Sequence, residues 1–196
     1  MEIRFDEQVA IVTGAGRGLG RAHAIAMASK GAKVVVNDFS GNQEISKNAN
    51  SVVEEIISAG GEAIANGANV ANFDQVQSMV NETMDKWGRV DILVNNAGIL
   101  RDKTFLKMSV EDMREVIDVH LMGSLNCSKA VWETMREQSY GRIVLTSSSS
   151  GLYGNFGQTN YGAAKMAMLG IMNTLHLEGM KYNIKVNCLA PTAGTA

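Results

Sequence analysis

Proline and cysteine are scarce in this sequence, and it has neither a long apolar run nor a block of like charge. Its 196 residues include one proline and two cysteines. Cys127 and Cys188 lie far apart and form no C-x-x-C pair, which disfavours a disulfide framework or a zinc site. We interpret both as reduced thiols in or near the core, and we expect no metal. No apolar run approaches the roughly 18 residues that a membrane span needs.

The charge pattern argues against two further classes of partner. The formal net charge is -2, and the lysines and arginines form no stripe or block. Neither nucleic acid nor a membrane surface is therefore an expected partner. The first ten residues carry acidic side chains where a secretory signal needs a basic and then an apolar segment. We expect a cytoplasmic protein.

Six short apolar runs punctuate the chain and predict strands. Nearly continuous apolar runs are typical of strands that are covered on both faces, as in a parallel sheet. The predicted strands are residues 9–13, 33–38, 62–66, 90–96, 141–147 and 184–190. Segments of helical period lie between them, and "SVED" at 109–112 predicts a capping box. This alternation predicts a single α/β domain over residues 1–196, a doubly wound, mostly parallel Rossmann sheet in three α/β/α layers.

The segment "TGAGRGLG" at 13–20 joins the first predicted strand to a helix. Gly14, Gly18 and Gly20 give it a TGxxxGxG pattern. A dinucleotide pyrophosphate must approach backbone N–H groups at a helix N-terminus, and a Cβ atom there would obstruct it. A glycine cluster alone is weak support, but the strand before it and the helix after it agree. The loop therefore predicts nucleotide binding.

Two charged residues bear on which dinucleotide would bind. Asp38 ends the second predicted strand, 18 residues after Gly20. A carboxylate there accepts hydrogen bonds from the adenosine ribose hydroxyls and repels a 2′-phosphate, which favours NAD over NADP. Arg17 argues the other way, because its guanidinium could reach a 2′-phosphate. We give Asp38 more weight and interpret Arg17 as a solvated cation of the loop.

Tyr161 and Lys165 are four residues apart in "YGAAKMAMLGIMNTL", which predicts a helix from about Gln158. At that spacing both side chains leave the same helix face. The serine run 147–150 follows the fifth predicted strand and would reach the same edge of the sheet. A neighbouring ammonium favours a phenolate, and a tyrosine so placed can exchange a proton with an alcohol or carbonyl. On its own, however, such a pair is often an ordinary surface pair.

In combination, the glycine loop, "NNAG" at 95–98 and the serine followed by YxxxK resemble the short-chain dehydrogenase/reductase family over the whole chain. The resemblance implies three catalytic roles. Ser148, thirteen residues before Tyr161, would position the substrate. Tyr161 would be the acid/base, and Lys165 would tune it and bind the nicotinamide ribose.

The same resemblance implies a set of cofactor contacts. Asn69 and Val70 stand where the family usually has Asp-Val at the adenine, and Asn95, Ala97 and Gly98 would line the cofactor near its adenosine side. The full implied set is Gly14, Arg17, Gly18, Leu19, Gly20, Asp38, Asn69, Val70, Asn95, Ala97, Gly98, Tyr161, Lys165 and Pro191.

A narrower resemblance rests on "VVVNDF", "NNAGILRDKTF", "VHLMGS" and "SGLYGNFGQTNYGAAK". These segments are similar to the (3R)-hydroxyacyl-CoA dehydrogenases of the family, the subgroup found in peroxisomal multifunctional enzymes of type 2 and in bacterial relatives. The resemblance implies NAD-dependent oxidation of a (3R)-hydroxyacyl-CoA, in fatty acid metabolism. The alternatives are a 3-oxoacyl-carrier-protein reductase, another alcohol or steroid dehydrogenase, or a dinucleotide-binding protein without catalysis.

The sequence departs from the family at His120 and at its end. Most members have an asparagine at position 120, whose backbone carbonyl helps to hold a water in a proton relay. His120 is either a packed structural ring or a member of that relay. Members also continue past the sixth strand into a substrate lid and a last strand, which we expect to be missing here. Family members commonly pair helices equivalent to 112–138 and 157–182, which implies a homodimer or homotetramer.

Overall fold

The computed structural model describes residues 3–41 and 45–191, and its described residues form one α/β unit. Six parallel strands lie in the order β3-β2-β1-β4-β5-β6. The strands are β1 (Val9–Val12), β2 (Lys33–Asn37), β3 (Glu62–Asn66), β4 (Ile92–Asn95), β5 (Gly141–Thr146) and β6 (Ile184–Leu189). The helices are α1 (Gly18–Ser29), α2 (Lys47–Ser58), α3 (Phe73–Trp87), α4 (Val110–Ile117), α5 (Gly123–Glu137), α6 (Ser149–Tyr153) and α7 (Thr159–Gly179). The predicted doubly wound sheet is confirmed.

Both faces of the sheet are covered, which explains the continuous apolar runs of the central strands. In β1 the side chain of Ile11 belongs to one buried cluster, with Val131 of α5 and Met168 of α7. Its neighbours Ala10 and Val12 belong to a second cluster, with residues of α1 and α2. Successive side chains of a strand point to opposite faces, so a strand between two helix layers needs apolar residues at every position.

The prediction of uninterrupted burial is wrong for β3, β5 and β6. Within β3 only Ala63 is buried, and buried and half-buried residues alternate along β5. In β6 the exposed Lys185 and Asn187 flank the buried Val186. Among the described strands, β6 is at the edge of the sheet and pairs only with β5. One face of an edge strand is less completely covered, so polar side chains are tolerated there.

Strand order reverses between β1 and β4, and this reversal locates the candidate site. The chain runs outward from β1 through β2 to β3, then returns to pair β4 with β1. Ligands of open α/β sheets bind beyond the carboxyl ends of the strands at such a switch point. The glycine loop follows β1 at this end, and residues 95–98 follow β4.

Side-chain caps begin several of the described helices, and the predicted capping box is confirmed. Ser46 caps α2 and Asn72 caps α3. At α4 the Ser109 hydroxyl accepts from the Asp112 N–H while the Asp112 carboxylate accepts from the Ser109 N–H. Within residues 3–41 and 45–191, none of the helices has the length and apolar character of a bilayer span.

Candidate active site

The glycine loop turns sharply after β1 and is held by residues that follow β4. Gly14 and Gly18 have φ angles of +62° and +56°, which favour glycine. The Asn96 side chain donates to the carbonyls of Thr13 and Gly14 at 2.9 and 3.1 Å. A Cβ atom on Gly20 would overlap the Gly14 carbonyl. The loop is therefore fixed in a form that only glycine permits at these positions.

The N-terminus of α1 has no side-chain cap, unlike those of α2, α3 and α4. Arg17 occupies its N-cap position, makes no capping hydrogen bond and is exposed, and no acidic residue lies in the first turn. Gly18 and Leu19 begin the helix, and a Cβ atom on Gly18 would meet no atom within 4 Å. Backbone N–H donors that face open space at a helix N-terminus suit an anion. The loop thus fits the pyrophosphate of a dinucleotide.

Asp38 lies beside this loop at the end of β2. It is half-buried, and its N–H donates to the Asn66 carbonyl at 3.0 Å. A Cβ atom on Gly16 would overlap the Asp38 carboxylate, so Gly16 makes room for that side chain. The carboxylate is therefore next to the glycine loop, where the sequence predicts an adenosine ribose. Its contact with a ribose stays a prediction.

Asn69 and Val70 follow β3 in a tight local structure. The Asn69 side-chain oxygen accepts from the Ala71 N–H at 3.0 Å, and the Asn69 N–H donates to the Gln75 side chain at 2.9 Å. Val70 is buried, and its carbonyl accepts from the Asn126 side chain at 2.9 Å. The predicted adenine contacts of both residues are not tested by this geometry.

Residues 95–98 follow β4 and have different surroundings, and the cofactor contacts predicted for Asn95, Ala97 and Gly98 stay a prediction. Asn95 is buried and its side chain donates to Ser128 of α5 at 3.3 Å, so the amide is directed into the core. Ala97 packs against the glycine loop, with its N–H donating to the Thr13 hydroxyl at 3.0 Å. A Cβ atom on Gly98 would overlap the His120 ring, so Gly98 lies on the side of His120.

The serine run follows β5, as predicted, and leads directly into the short helix α6. Ser147 is buried and its hydroxyl donates to the Lys165 carbonyl at 2.8 Å. Ser148 is the N-cap of α6, and its hydroxyl accepts from the Ser150 N–H at 3.2 Å. Ser149 and Ser150 are helical. Because the Ser148 oxygen already accepts a bond, its own O–H proton is available to a substrate oxygen.

Tyr161 and Lys165 share one face of α7, as their spacing predicts. The Lys165 ammonium lies 5.5 Å from the centre of the Tyr161 ring. It is buried and donates to the Thr146 carbonyl at 2.7 Å. Burial lowers the pKa of Lys165 to about 8, because desolvation disfavours the ammonium. The structure therefore brings together the end of β5 and the first turns of α7.

His120 completes the surroundings of Tyr161. Its ring packs edge-on against the Tyr161 ring with centroids 5.2 Å apart. Its Nε2 lies 3.0 Å from the Ile99 nitrogen and 2.8 Å from the Ile99 oxygen, and the tautomer decides which bond forms. Burial, together with the nearby Lys165 charge, lowers the pKa of His120 to about 4. The imidazole is consequently neutral at physiological pH.

The Nδ1 atom of His120 is buried and has no hydrogen-bonding partner within the described residues 3–41 and 45–191. His120 lies in a π-helical turn, Asp118–Met122, between α4 and α5. The His120 carbonyl accepts from the Ser124 hydroxyl at 2.7 Å. Single π turns often mark functional positions in helices, and a buried unpaired nitrogen next to Tyr161 is compatible with a bound water. Both the packed and the relay interpretation therefore remain open for this residue.

Three positioning residues were not predicted. The Thr13 hydroxyl donates to the Val94 carbonyl at 3.3 Å and joins the ends of β1 and β4. Asn96 holds the glycine loop, whereas "NNAG" directed attention to Asn95. Asn160 is buried, and its side chain donates to the Arg101 carbonyl and accepts from the Tyr161 N–H at 2.7 Å. Only the position of Asn160 next to Tyr161 could have identified it from sequence.

Pro191 is the last residue that the structure describes and lies just beyond β6, half-buried. The predicted absence of a lid and a last strand concerns a region outside the described residues. Among the residues that are described, no three potential metal ligands come together.

The reversed strand order, the glycine loop and the uncapped N-terminus of α1 define a dinucleotide-binding protein of the Rossmann type. A family model described as short chain dehydrogenase matches residues 8–195. The chain belongs to the short-chain dehydrogenase/reductase family. The Rossmann fold of this family binds a nicotinamide dinucleotide.

Individual relatives are similar over nearly the whole chain. Identity with peroxisomal multifunctional enzyme type 2 of Mus musculus is 50% over 200 residues, covering 98% of this chain and 26% of that enzyme. Identity with a 3-oxoacyl-(acyl-carrier-protein) reductase of Synechocystis is 49% over 184 residues, covering 94% of this chain and 73% of the reductase. The crystal structure of a short chain dehydrogenase from Mycobacterium avium superposes with a TM-score of 0.91 at 43% identity, covering 95% of this chain and 68% of that one.

Proposed function

We propose that this chain is an NAD-dependent oxidoreductase that transfers a hydride between C3 of a (3R)-hydroxyacyl thioester and the nicotinamide. The 50% identity with the peroxisomal multifunctional enzyme supports the acyl thioester, although this chain spans only 26% of that enzyme. The single observation that carries the chemistry is the buried Lys165 ammonium beside the Tyr161 ring.

The bound nicotinamide would accept the hydride in oxidation and supply it in reduction. Tyr161 takes the hydroxyl proton of the substrate in oxidation, with the Lys165 ammonium 5.5 Å from the centre of its ring. The Thr146 carbonyl holds the Lys165 ammonium at 2.7 Å, which limits its movement. Ser148 donates its O–H to the substrate oxygen, while its own oxygen accepts from the Ser150 N–H.

NAD is favoured by the Asp38 carboxylate beside the glycine loop. Arg17, whose positive charge could attract a 2′-phosphate, is exposed at the N-cap of α1. The Asp38 carboxylate beside Gly16 would repel a 2′-phosphate, and we give this repulsion more weight than the Arg17 charge. This cofactor preference belongs to the proposal, and the family itself uses either nicotinamide dinucleotide.

The test is production of NADH, followed by absorbance, from a (3R)-3-hydroxyacyl-CoA, with the (3S) enantiomer as the stereochemical control. Tyr161→Phe should lose about 100-fold or more in turnover and keep its affinity for NAD, because only the proton acceptor is removed. Tyr153→Phe is the matched control, since Tyr153 is 87% exposed on the neighbouring α6. Full turnover by the Tyr161 variant would contradict the proposed chemistry.

The second candidate is a 3-oxoacyl-carrier-protein reductase, favoured by the 49% identity with the Synechocystis reductase. It predicts reduction of a 3-oxoacyl group on a carrier protein, with NADPH at least as effective as NADH. Measuring both cofactors against acyl-CoA and acyl-carrier-protein substrates separates the two candidates. Tight binding of NAD with no turnover on any alcohol or ketone would instead favour a non-catalytic dinucleotide-binding protein.

A further inference from the structure

Two contacts with the protein meet at Oδ2 of the Asp38 carboxylate. This oxygen lies against the glycine loop, where Gly16 has no side chain and where a Cβ atom would overlap the carboxylate. The Ser46 hydroxyl donates to the same oxygen at 2.6 Å. An aspartate on a surface loop would rotate freely about its side-chain bonds. Here its position is fixed before any ligand arrives.

The Ser46 hydroxyl has its direction set by a second bond. Ser46 is the N-cap of α2, and its oxygen accepts from the Ala49 N–H at 3.0 Å. Its single O–H proton is then free to point at Asp38. Ser46 is 7% exposed, so water competes little for either bond. The same Ser46 hydroxyl therefore caps α2 and fixes the position of Asp38.

Ser46 reaches Asp38 because the chain turns back on itself after β2. Phe39 and Ile45 form an isolated antiparallel bridge, which returns the chain to the end of the strand. Eight positions separate Ser46 from Asp38 in sequence. Nothing in the local sequence pattern around Asp38 indicates this contact, since the bridge creates it.

We propose that Ser46 is a positioning residue for cofactor choice, which holds Asp38 so that its second carboxylate oxygen meets the ribose hydroxyls of NAD. The inference rests on the NAD preference of the proposed function. A side chain fixed in advance loses less conformational freedom when it binds, which strengthens the favoured complex. A fixed carboxylate is also unable to turn away from a 2′-phosphate, which weakens the disfavoured one.

The experiment measures dissociation constants of NAD and NADP by titration calorimetry, without any substrate. Ser46→Ala should weaken NAD binding about three- to tenfold, the effect of releasing one immobilised side chain, and should leave NADP binding equal or stronger. Ser46→Thr retains the hydroxyl and should keep the wild-type preference. Ser46→Gly also lacks the hydroxyl but retains most of the helix cap, so it repeats the test if the alanine variant is unstable.

Two controls separate positioning from a general loss of stability. Ser109→Ala removes the cap of α4, which does not contact Asp38. The ratio of NAD to NADP affinity of this variant should equal that of the wild type. In an Asp38→Asn background, Ser46→Ala should have little further effect on that ratio, because the two residues act together. An unchanged ratio in Ser46→Ala, or an equal fall in Ser109→Ala, would overturn the proposal.

The outcome for Ser46 is distinguishable from that for the enzyme's substrate. A wild-type chain that prefers NAD and oxidises no hydroxyacyl-CoA contradicts the proposed substrate, while the altered ratio of Ser46→Ala still supports its role. A wild-type chain that prefers NADP contradicts both the NAD assignment and the role given to Ser46.

Discussion

Replacing Lys165 with methionine should abolish turnover and yet stabilise the fold near neutral pH. The ammonium is buried, and desolvation lowers its pKa from 10.5 to about 8. Below about pH 8 the Lys165 ammonium stays charged and out of contact with water in the folded protein, whereas the unfolded chain exposes it to water. Methionine has a similar length and no charge, so the substitution removes this desolvation cost.

The magnitude follows from the difference between the two pKa values. Lowering the pKa of Lys165 from 10.5 to about 8 corresponds to about 3 kcal/mol of destabilisation below the folded-state pKa. Loss of the Lys165 bond leaves the Thr146 carbonyl without that donor, which costs about 1 to 2 kcal/mol at every pH. Near pH 7 the variant should therefore be more stable than wild type by about 1 to 2 kcal/mol.

The sign of the pH dependence is the sharper part of this prediction. As the pH rises from about 8 towards 10.5, the folded lysine becomes neutral first, so the unfolded state binds more protons and wild-type stability increases. Between about pH 7 and about pH 9.5, the advantage of Lys165→Met should shrink by about 2 kcal/mol. The Thr146 contribution is constant with pH and cancels in this comparison.

Urea unfolding of the cofactor-free protein, followed by circular dichroism at one protein concentration, measures both free energies. Lys129→Met is the matched control, because Lys129 is exposed on α5 and the difference from wild type should be flat with pH. An advantage of Lys165→Met that stays constant between the two pH values would refute the claim that the ammonium is desolvated.

Three further predictions concern other parts of the site and core. Gly20→Ala places a Cβ atom against the Gly14 carbonyl and should reduce NAD affinity more than tenfold in calorimetry, with the fold retained by circular dichroism. His120→Asn should change the pH profile of kcat if its Nδ1 holds a relay water, and an unaltered profile with changed KM alone would favour the packed interpretation. Burial raises the pKa of Cys127 to about 12, so a thiol reagent at neutral pH should modify Cys188 first and Cys127 only on unfolding; equal rates would contradict the buried position.

The strands were largely predictable from the sequence because burial on both faces leaves an unmistakable apolar run. The run at 62–66 coincides with β3, and the others differ from the observed strands by one or two residues at an end. The start of α7 was placed within one residue, and the cap of α4 was identified by "SVED". These features depend on residues that are close together in the sequence, so the local sequence is enough to predict them.

The arrangement around the site was less predictable because it depends on contacts between distant segments. Two adjacent amides, Asn95 and Asn96, take opposite roles: one is turned into the core, and the other holds the glycine loop. The helix that follows Ser148 has no apolar period by which to recognise it. The hydrogen bond from Ser46 to Asp38 depends on a chain reversal that no sequence motif predicts.

The π turn at Asp118–Met122 has a geometric consequence for both helices that it joins. A π turn uses one more residue than an α turn for about the same rotation, so it takes up an extra residue without changing the angular phase between α4 and α5. Deleting one residue within this turn should therefore restore an α turn and leave the buried stripe of α5, including Cys127 and Val131, facing the sheet. The deletion would instead displace His120, which lies within the turn beside Tyr161.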